Sequence, residues 1–571
     1  MLEAAREIAG GGAHGATPGR APPAPELGRG AAVPIGLARL NALIRLKDLS
    51  MLSTRLRHLA AAALVLSASA CASSPQAVPE VACRPDETMP KRQFRGTWIA
   101  SVINLDWPSR PGLPAAAQQA ELSAWLDDAV RMNRNAVILQ VRPTADAFWP
   151  SPFEPWSKYL TGAQGGDPGY DPLAFAVAEA HRRNLELHAW FNPYRVAMDD
   201  RLDALVATHP ARAHPDWVVR YGGKLYYNPG VPAARAFVVD AIMDAVARYD
   251  IDAVHLDDYF YPYPVAGATF DDASAYAQYG AGFATLADWR RDNVDRLVES
   301  LAQRIKAAKP WVKFGISPFA VWRNAATDPQ GSRTSASVQT YDDLYADTRR
   351  WVRERWIDYV VPQAYWARGF APADYDEVVA WWANEVRGRD AHLYIGQAAY
   401  KVGTSNQSPG WSDPDELSRH LAFNLTAPEV KGDVYFSAKD VRADRLGATT
   451  RLNRTWYSRP ALVPTMPALG GNAPPSAKAL RAQRTPDGVR LQWQAGSAAA
   501  ASYAVYRHAL GRQDMCADSD ARHLLATVRG TQYVDVTARA DRDYRYVVTA
   551  LDRLWHESEP ADIAMPAAKP R

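Results

Sequence analysis

The chain has 571 residues, of which 47% are hydrophobic and 22% are charged, and its formal net charge is +3 at pH 7. This length predicts two or three domains, because single domains usually run to ~100–250 residues, and the apolar content is ample for a large core. The small net charge and the lack of a basic run argue against a nucleic-acid partner.

The first 50 residues differ in composition from the rest of the chain. They include a stretch rich in Gly, Ala and Pro with no apolar period, which predicts a disordered or untranslated extension over residues 1–50. From Met51 onward, a basic segment precedes the short apolar run Leu59–Leu66 and the small residues Ala68–Ala70. This pattern is typical of a secretory signal peptide over residues 51–70, and we expect translation to begin at Met51.

Cys71 follows these small residues as in the lipobox of a bacterial lipoprotein, although Ala68 stands where Leu is commoner. We expect Cys71 to carry lipid and residues 71–92 to form a tether; an ordinary signal peptide that is cleaved without lipidation is the alternative. Cys83 and Cys516 lie in different predicted domains, so either a disulfide or two free thiols is compatible with the sequence. No Cys/His cluster indicates a metal site, and no cofactor is predicted.

Residues 93–460 form a long α/β segment in which short apolar strands alternate with helical stretches. The eight predicted strands are Gly96–Val102, Ala136–Val141, Leu185–Phe191, Ala253–Asp257, Lys313–Ser317, Tyr359–Gln363, Leu393–Gly396 and Asp433–Ser437. The predicted helices include Glu121–Met132, Leu173–Arg182, Ala233–Arg248 and Val294–Ala308. Eight such units predict a parallel sheet closed into a TIM (β/α)8 barrel. A doubly wound open sheet is the alternative, but no Gly-rich phosphate loop follows the first strand.

The C-terminal part of the chain has a different character. Residues 461–476 are rich in Pro, Gly and Ala and predict a linker. Residues 477–567 contain short alternating strands, such as Val489–Trp493 and Tyr544–Ala550, which predict a small all-β sandwich. The Leu-x-Trp and Tyr-x-Tyr-x-Val strands resemble those of a fibronectin type III domain. We expect this domain to be a spacer or a binding module.

Polar residues recur near the ends of the predicted barrel strands with one parity. In the second strand, Val137, Leu139 and Val141 share one face, while Gln140 and Arg142 lie on the other. In a barrel the second face points inward, and its C-terminal end forms the mouth where active sites lie. The polar residues expected to converge there with Asp257 and contact substrate are Gln140, Arg142, His188, Asn192, His255, Ser317 and Gln363.

Loop residues beside these strand ends complete the predicted sugar contacts. They are Tyr194, Arg195, Tyr259, Trp322, Tyr365 and Trp366, with Phe319 as a further stacking wall. Aromatic rings offer flat platforms for sugars, although packing in the core is the alternative for each ring taken singly. His188 and His255 have no third ligand at metal-site spacing, so hydrogen-bonding histidines are predicted.

The acidic doublet Asp257–Asp258 carries the sharpest chemical signal. Adjacent buried carboxylates are costly unless they are paired or used in chemistry, and glycosidic cleavage needs one carboxylic acid and one carboxylate. Asp257 points inward by parity and suits the role of nucleophile or base, whereas Asp258 opens the loop and suits the acid. Asp106, Asp146 and Glu154 on neighbouring loops are alternative acids. The structural alternative is that the doublet caps the next segment or pairs with arginine.

Several motifs in fixed order resemble the glycosyl-hydrolase-like 10 family of bacterial lipoproteins. They are Arg95–Trp98, Asn104–Pro108, Gln140–Pro143, Glu154–Ser157, His188–Arg195, His255–Tyr259 and Pro362–Trp366. The resemblance covers about 93–460 and implies a TIM barrel. His255–Asp257 is also similar to the nucleophile strand of α-amylase-type barrels, but the fifth strand ends in Ser317 rather than in an acidic Glu.

The family resemblance also implies a substrate and a location. One type of member has this layout, acts at the divisome and cleaves peptidoglycan glycan strands, preferring strands stripped of stem peptides. By resemblance we expect a hydrolase anchored by lipid to the outer membrane, facing the periplasm, with cell-wall glycan and divisome proteins as partners. A hydrolase of another envelope or extracellular polysaccharide is one alternative. A non-catalytic glycan-binding scaffold is another.

Overall fold

The computed structural model describes residues 86–404, 408–509 and 520–568. The predicted leader, the lipidation site Cys71 and the other two cysteines, Cys83 and Cys516, lie outside these ranges. Within the described part of the chain, no helix is both long and apolar enough to cross a membrane. The same residues include no group of three or more His, Cys, Asp or Glu side chains that could hold a metal ion.

A closed parallel barrel forms the first part of the fold. The strands up to residue 435 are β1 (Phe94–Ile99), β2 (Ala136–Arg142), β3 (Glu186–Phe191), β4 (Arg195–Ala197), β5 (Val218–Tyr221), β6 (Lys224–Tyr227), β7 (Ala253–Leu256), β8 (Lys313–Ile316), β9 (Tyr359–Val360), β10 (His392–Gln397) and β11 (Val430–Tyr435). Eight of them close in the order β1-β11-β10-β9-β8-β7-β3-β2. The predicted TIM barrel is therefore confirmed, and each predicted strand overlaps one barrel strand.

Side-chain alternation explains how these strands bury both faces. Val137, Leu139 and Val141 of β2 join the apolar layer beneath the helices, whereas Ile138 belongs to the cluster inside the barrel. Burying one such side chain completely contributes roughly 1.5–3 kcal/mol. A strand that is apolar on both faces along most of its length therefore fits a sheet covered by helices outside and closed on itself inside.

Helices cover the outside of the barrel. They are α1 (Ala115–Arg131), α2 (Lys158–Thr161), α3 (Pro172–Arg182), α4 (Pro210–Ala213), α5 (Pro232–Arg248), α6 (Ala273–Tyr279), α7 (Leu286–Ala308), α8 (Thr340–Asp343), α9 (Thr348–Arg353), α10 (Tyr375–Val386), α11 (Glu416–Asn424), α12 (Ala438–Ala443) and α13 (Ala448–Trp456). Helix α7 begins before the predicted Val294, because the side chain of Thr285 caps it by accepting from Asp288 N.

A small antiparallel sheet, in the order β4-β6-β5, is inserted between β3 and α5. Sequence analysis did not predict it, since its strands are only three or four residues long. Tyr221 and Tyr226 of this sheet line a cleft together with Tyr259 and Tyr263 from the loop after β7. The insertion thus builds one side of the barrel mouth.

The C-terminal domain consists of two antiparallel sheets. Its strands are β12 (Lys478–Thr485), β13 (Gly488–Gln494), β14 (Ser502–Ala509), β15 (Leu524–Val528), β16 (Gln532–Asp535), β17 (Tyr544–Leu551) and β18 (Ala561–Met565). The sheet orders are β12-β13-β16 and β15-β14-β17-β18. Trp493, Tyr503 and Tyr546 fill the core between them, as the alternating pattern predicted.

This domain packs against the amino-terminal end of the barrel. One apolar cluster runs from Phe94 and Tyr394 inside the barrel, through Leu462, to Tyr506 and Trp555 of the C-terminal domain. Leu462 is fully buried although it lies in the segment predicted as a linker. The first residues of that segment are therefore part of the interface rather than a free connection.

Candidate active site

Asp257 and Asp258 follow the carboxyl end of β7, which is paired with β3 and β8. Both side chains lie at the barrel mouth with only 1% of their surface exposed. Asp257 Oδ2 accepts a hydrogen bond from Asn192 Nδ2 at 2.5 Å, and its Oδ1 accepts from Tyr259 N at 3.2 Å. Two N–H donors stabilise the ionised form of this carboxyl group.

Asp258 is held differently. The hydroxyl of Tyr263 donates a short hydrogen bond to its Oδ2. Its Oδ1 is buried and has no hydrogen-bond partner among the described residues. One oxygen of Asp258 is thus fixed, while the other is available to carry or deliver a proton.

The electrostatics couple the two carboxyl groups. Burial and then the charge of Asp258 raise the pKa of Asp257 above its ordinary value, and Arg195 opposes the shift. Burial and then Asp258 also raise the pKa of the Tyr263 hydroxyl, which keeps it a donor at neutral pH. Acid–base chemistry on a glycosidic bond requires one carboxylic acid and one carboxylate, and two neighbouring carboxyl groups can supply them.

Gln140 and Asn192 orient Asp257 from below. Gln140 Oε1 accepts from Ser101 N and Val102 N, each at 2.9 Å, so its Nε2 must donate, and it does so to Asn192 Oδ1 at 2.6 Å. Because Asn192 Oδ1 accepts this hydrogen bond, the Nδ2 of the same amide faces Asp257 and donates to it. These two amides therefore position the carboxylate rather than a sugar.

Arg142, predicted as a substrate contact, is engaged by protein partners. Its fully buried guanidinium forms a two-pronged ion pair with Glu154, and it also donates to the carbonyls of Asn192 and Pro193. Strand parity predicted the inward direction of Arg142 but did not reveal this partner. Both carboxylate oxygens of Glu154 contact Arg142, so Glu154 is not free to act as the acid.

Two other alternative acids are also accounted for. Asp106 accepts from Ala100 N, Lys439 N and the Ser437 hydroxyl, and these bonds tie the ends of β1 and β11 together. Asp146 is completely buried, and burial raises its pKa to about 6. The doublet remains the best pair, because it directly follows the carboxyl end of β7 at the barrel mouth.

His188 and His255 point into the barrel as predicted but lie too deep to contact substrate. Nδ1 of each histidine lies within hydrogen-bond distance of the Tyr359 hydroxyl, at 2.8 Å for His188 and 3.1 Å for His255. His255 Nε2 lies 3.0 Å from Ser317 Oγ. Strand residues advance ~3.3 Å each, so His255 sits one full layer below Asp257.

Tyr194 and Trp322, also predicted as substrate contacts, pack against other protein side chains. Tyr194 is fully buried in the layer beneath the helices. Trp322 stacks on Trp381 of α10 with ring centroids 6.1 Å apart, and the guanidinium of Arg349 lies 4.3 Å from its ring. Both rings fill the outer core, which was the alternative for single aromatics.

The remaining predicted residues surround the mouth. Arg195 donates to the Pro143 carbonyl at 3.0 and 3.1 Å and lies 5.0 Å from the ring centre of Tyr259. Gln363 Nε2 donates to Ser317 O at 2.8 Å and thereby joins the ends of β9 and β8. The amide nitrogen of Gln363 therefore stabilises the rim.

Aromatic rings form the rim itself. Trp366 contacts Phe319 edge-to-face at 5.4 Å, and Phe319 contacts Tyr263 at 6.2 Å. Tyr365 contacts Tyr400 at 5.8 Å on the other side. Sequence analysis missed Tyr263 and Tyr400, although Tyr263 belongs to a run of aromatic residues directly after the doublet.

Comparison with known proteins places this geometry in a family. Residues 93–413 match the family described as Glycosyl hydrolase-like 10. Over 479 residues the chain is 52% identical to glycosyl hydrolase YngK of Bacillus subtilis (strain 168), which covers 82% of this chain and 92% of that protein. Over 399 residues it is 39% identical to glycosyl hydrolase DigH of Escherichia coli (strain K12), covering 66% of this chain and 90% of that protein.

Among solved structures, the chain is similar to the PgaB (BpsB) glycoside hydrolase domain from Bordetella bronchiseptica, with a TM-score of 0.41 and 13% identity. That match covers 64% of this chain and 99% of the domain. The family match spans the barrel strands that carry Asn192, Asp257 and Asp258. The chain belongs to the glycosyl hydrolase-like 10 family and is a glycoside hydrolase.

Proposed function

We propose that this glycoside hydrolase cleaves the glycan strands of peptidoglycan, with a preference for strands stripped of stem peptides. The observation that carries the hydrolytic site is the doublet at the barrel mouth, with Asp257 held by two N–H donors and Asp258 held at one oxygen only. The substrate class rests on family membership. The aromatic rim, with Tyr365 and Trp366, supports it because sugar rings stack on such surfaces.

Asp257 acts as the carboxylate and Asp258 as the proton donor in this proposal. The donors from Asn192 and Tyr259 favour negative charge on Asp257, and Asp258 Oδ1 has no hydrogen-bond partner among the described residues, so we assign the proton-donor role to Asp258. Asp258 then protonates the glycosidic oxygen as the bond to the anomeric carbon breaks, and Asp257 attacks that carbon or activates a water. If Asp257 attacks the carbon, Asp258 afterwards takes a proton from the water that hydrolyses the glycosyl-enzyme bond; if Asp257 activates the water, Asp257 itself takes that proton.

The test is digestion of purified peptidoglycan whose stem peptides have been removed by an amidase. We expect soluble glycan fragments, identified by mass spectrometry, from the wild type and none from Asp257→Asn. Release from another envelope polysaccharide but not from peptidoglycan would reassign the substrate. Sedimentation with the glycan without any release would favour the scaffold function instead.

We further propose that the protein is exported and anchored through lipid on Cys71 to the outer membrane, facing the periplasm, where divisome proteins are its partners. The signal-like segment before Cys71 supports this proposal. In cells, Cys71→Ala should move the protein from the membrane fraction to the soluble periplasm. Equal fractionation of the two proteins, or detection of peptides from residues 1–50, would contradict it.

A further inference from the structure

Lys401 lies at the barrel mouth and takes no part in the proposed hydrolysis. It ends the short 3₁₀ helix Ala399–Lys401, which follows the carboxyl end of β10. Its Nζ donates to the carbonyl of Tyr365 at 2.8 Å. An ammonium group has three N–H donors, so the two others remain available for a ligand.

The charge of Lys401 has no protein counterion among residues 86–404, 408–509 and 520–568, where no carboxylate lies within 4 Å of its Nζ. Arg142 and Lys313, two buried cations of the barrel, are paired with Glu154 and Glu186, whereas Lys401 is not paired in this way. Burial alone lowers the pKa of Lys401 to about 8. A partly desolvated ammonium without a counterion is stabilised when an anion binds beside it.

The neighbours of Lys401 connect it to the carboxylate pair. Burial, Tyr400 and then the charges of Asp258 and Asp257 raise the pKa of the Tyr365 hydroxyl, so the residue whose carbonyl Lys401 holds lies within electrostatic reach of both acids. Burial, Asp440 and then Asp258 raise the pKa of Tyr400 in the same way. Lys401 Nζ lies 5.8 Å from the ring centre of Tyr400, which contacts Tyr365, so Lys401 adjoins the aromatic rim.

The proposed substrate offers one anion that fits this position. N-acetylmuramic acid carries a lactyl group, whose carboxylate is free in a denuded strand and is a neutral amide when a stem peptide is attached. An ammonium ion distinguishes the two forms, because only the free carboxylate makes an ion pair with charge-assisted hydrogen bonds.

We propose that Lys401 binds the lactyl carboxylate of a muramic acid residue next to the cleavage site and thereby sets the preference for denuded strands. The inference rests on the proposed function and assigns its specificity to one side chain. Lys401 is a specificity residue in this scheme, and Asp257 and Asp258 carry out the chemistry without it.

Binding measured in the Asp257→Asn background tests this without turnover. The ligands are a muramic-acid-containing glycan oligomer with free lactyl carboxylates, the same oligomer with methylamide-capped carboxyls, and an N-acetylglucosamine oligomer. We expect the free acid to bind at least about tenfold more tightly than the amide. Lys401→Met should abolish this difference by weakening only the free acid, and Lys401→Arg should keep most of it.

Lys431→Met is the matched control. Lys431 Nζ also donates to a carbonyl, that of Pro428 at 2.7 Å, but it lies at the opposite end of the barrel. We expect its binding of all three ligands to be unchanged. Thermal unfolding of each variant checks that the fold is retained.

The outcomes separate this inference from the proposed function. If denuded peptidoglycan is cleaved and Lys401→Met retains the preference for the free acid, only the role of Lys401 is refuted. If Lys401→Met weakens acid and amide equally, its role is general and the inference also fails. If the protein neither cleaves denuded strands nor binds the muramic acid oligomer, both the proposed substrate and this inference are refuted.

Discussion

The indole nitrogen of Trp555, in the C-terminal domain, donates a hydrogen bond to Glu186 Oε1 at the base of the barrel, at 2.7 Å. Lys313 Nζ donates to the same oxygen at 2.5 Å, and His188 Nε2 lies 2.9 Å from Oε2. The side chains of these four residues are all almost completely buried. The C-terminal domain therefore closes the barrel and helps to neutralise a carboxylate inside it, which a simple spacer would not do.

Replacing Trp555 should accordingly destabilise the whole protein. Trp555→Phe keeps an aromatic ring but removes the donor to Glu186, and we expect a loss of roughly 1–3 kcal/mol in the free energy of unfolding. Trp555→Ala also leaves a cavity and should cost roughly 3–5 kcal/mol. Urea unfolding followed by fluorescence measures both.

Trp381→Phe is the matched control for this prediction. The Trp381 indole donates to Gln330 O at 2.9 Å, but it does so at the surface. We expect a change below about 1 kcal/mol, because water replaces the lost acceptor contact. If both Phe variants lose the same free energy of unfolding, the hydrogen bond from Trp555 to Glu186 contributes no more to stability than a surface hydrogen bond does.

A chain of hydrogen bonds continues from this base toward the mouth. Trp98 Nε1 can only donate, and it lies 3.3 Å from His255 Nε2, which must therefore accept. His255 Nδ1 then donates to the Tyr359 hydroxyl, which in turn donates to His188 Nδ1, and His188 Nε2 donates to Glu186. These hydrogen bonds orient both histidines in a column beneath Asp257.

The charge on Glu186 gives stability a specific pH dependence. Burial alone would disfavour this charge, but Lys313 and His188 outweigh it and lower the pKa of Glu186 below its ordinary value. A carboxyl group with a lowered folded-state pKa stabilises the fold above its unfolded pKa of ~4.3, and this contribution is lost as the pH falls below that value.

Glu186→Gln tests this dependence. At neutral pH the variant leaves Lys313 buried without its counterion, and we expect a cost of roughly 3–5 kcal/mol. The difference from the wild type should shrink as the pH falls below ~4.3, because the unfolded wild type then takes up a proton on Glu186 that the folded protein does not bind. Unfolding free energies measured from pH 7 to pH 3 show this, and a constant difference would contradict it.

Strand parity was sufficient to predict the barrel and the inward direction of its polar residues, but not their depth. Gln140, Asn192 and Asp257 lie near the mouth, whereas His188 and His255 share their parity and belong to the interior column. Parity repeats every two residues along a strand, so it cannot say which inward layer holds the site.

Contacts between residues that are far apart in the chain could not be predicted from the sequence either. Arg142 has the parity of a sugar-binding residue, but its partner Glu154 comes from a loop whose path no local pattern reveals. Trp555 lies 369 positions from Glu186, and its turn has no local signal of an interface. Such contacts are set by tertiary packing, not by period or composition.

The roles of the two acids can be separated with leaving groups. A substrate with a good aryl leaving group needs no protonation, so Asp258→Asn should keep most of its rate on it while losing ~10²–10⁴-fold on the glycan. Asp257→Asn should lose activity on both substrates. Steady-state kinetics on the two substrates decide this, and the reverse pattern would exchange the roles.

The pH profile of the aryl substrate should report Asp257. Asp257 must be ionised to act, so the rate rises with pH through its pKa, which burial and Asp258 raise and Arg195 opposes. Asp258→Asn removes a neighbouring negative charge and should shift the acidic limb of kcat/KM to lower pH. Arg195→Met removes a positive charge and should shift it to higher pH. If the acidic limb of kcat/KM stays at the same pH in both variants, a group other than Asp257 titrates there.

Tyr263 should act on the proton donor alone. Tyr263→Phe keeps the ring in the aromatic rim but removes the donor to Asp258 Oδ2. Since a hydrogen bond to a charged group is worth roughly 1.5–3 kcal/mol, we expect kcat on the glycan to fall about tenfold or more, with little change on the aryl substrate. Tyr221→Phe is the control, because its hydroxyl bonds to Tyr263 O and Val265 N and, within the described part of the chain, to neither acid. Equal losses on both substrates would mean that Tyr263 shapes the site as a whole, and not the acid in particular.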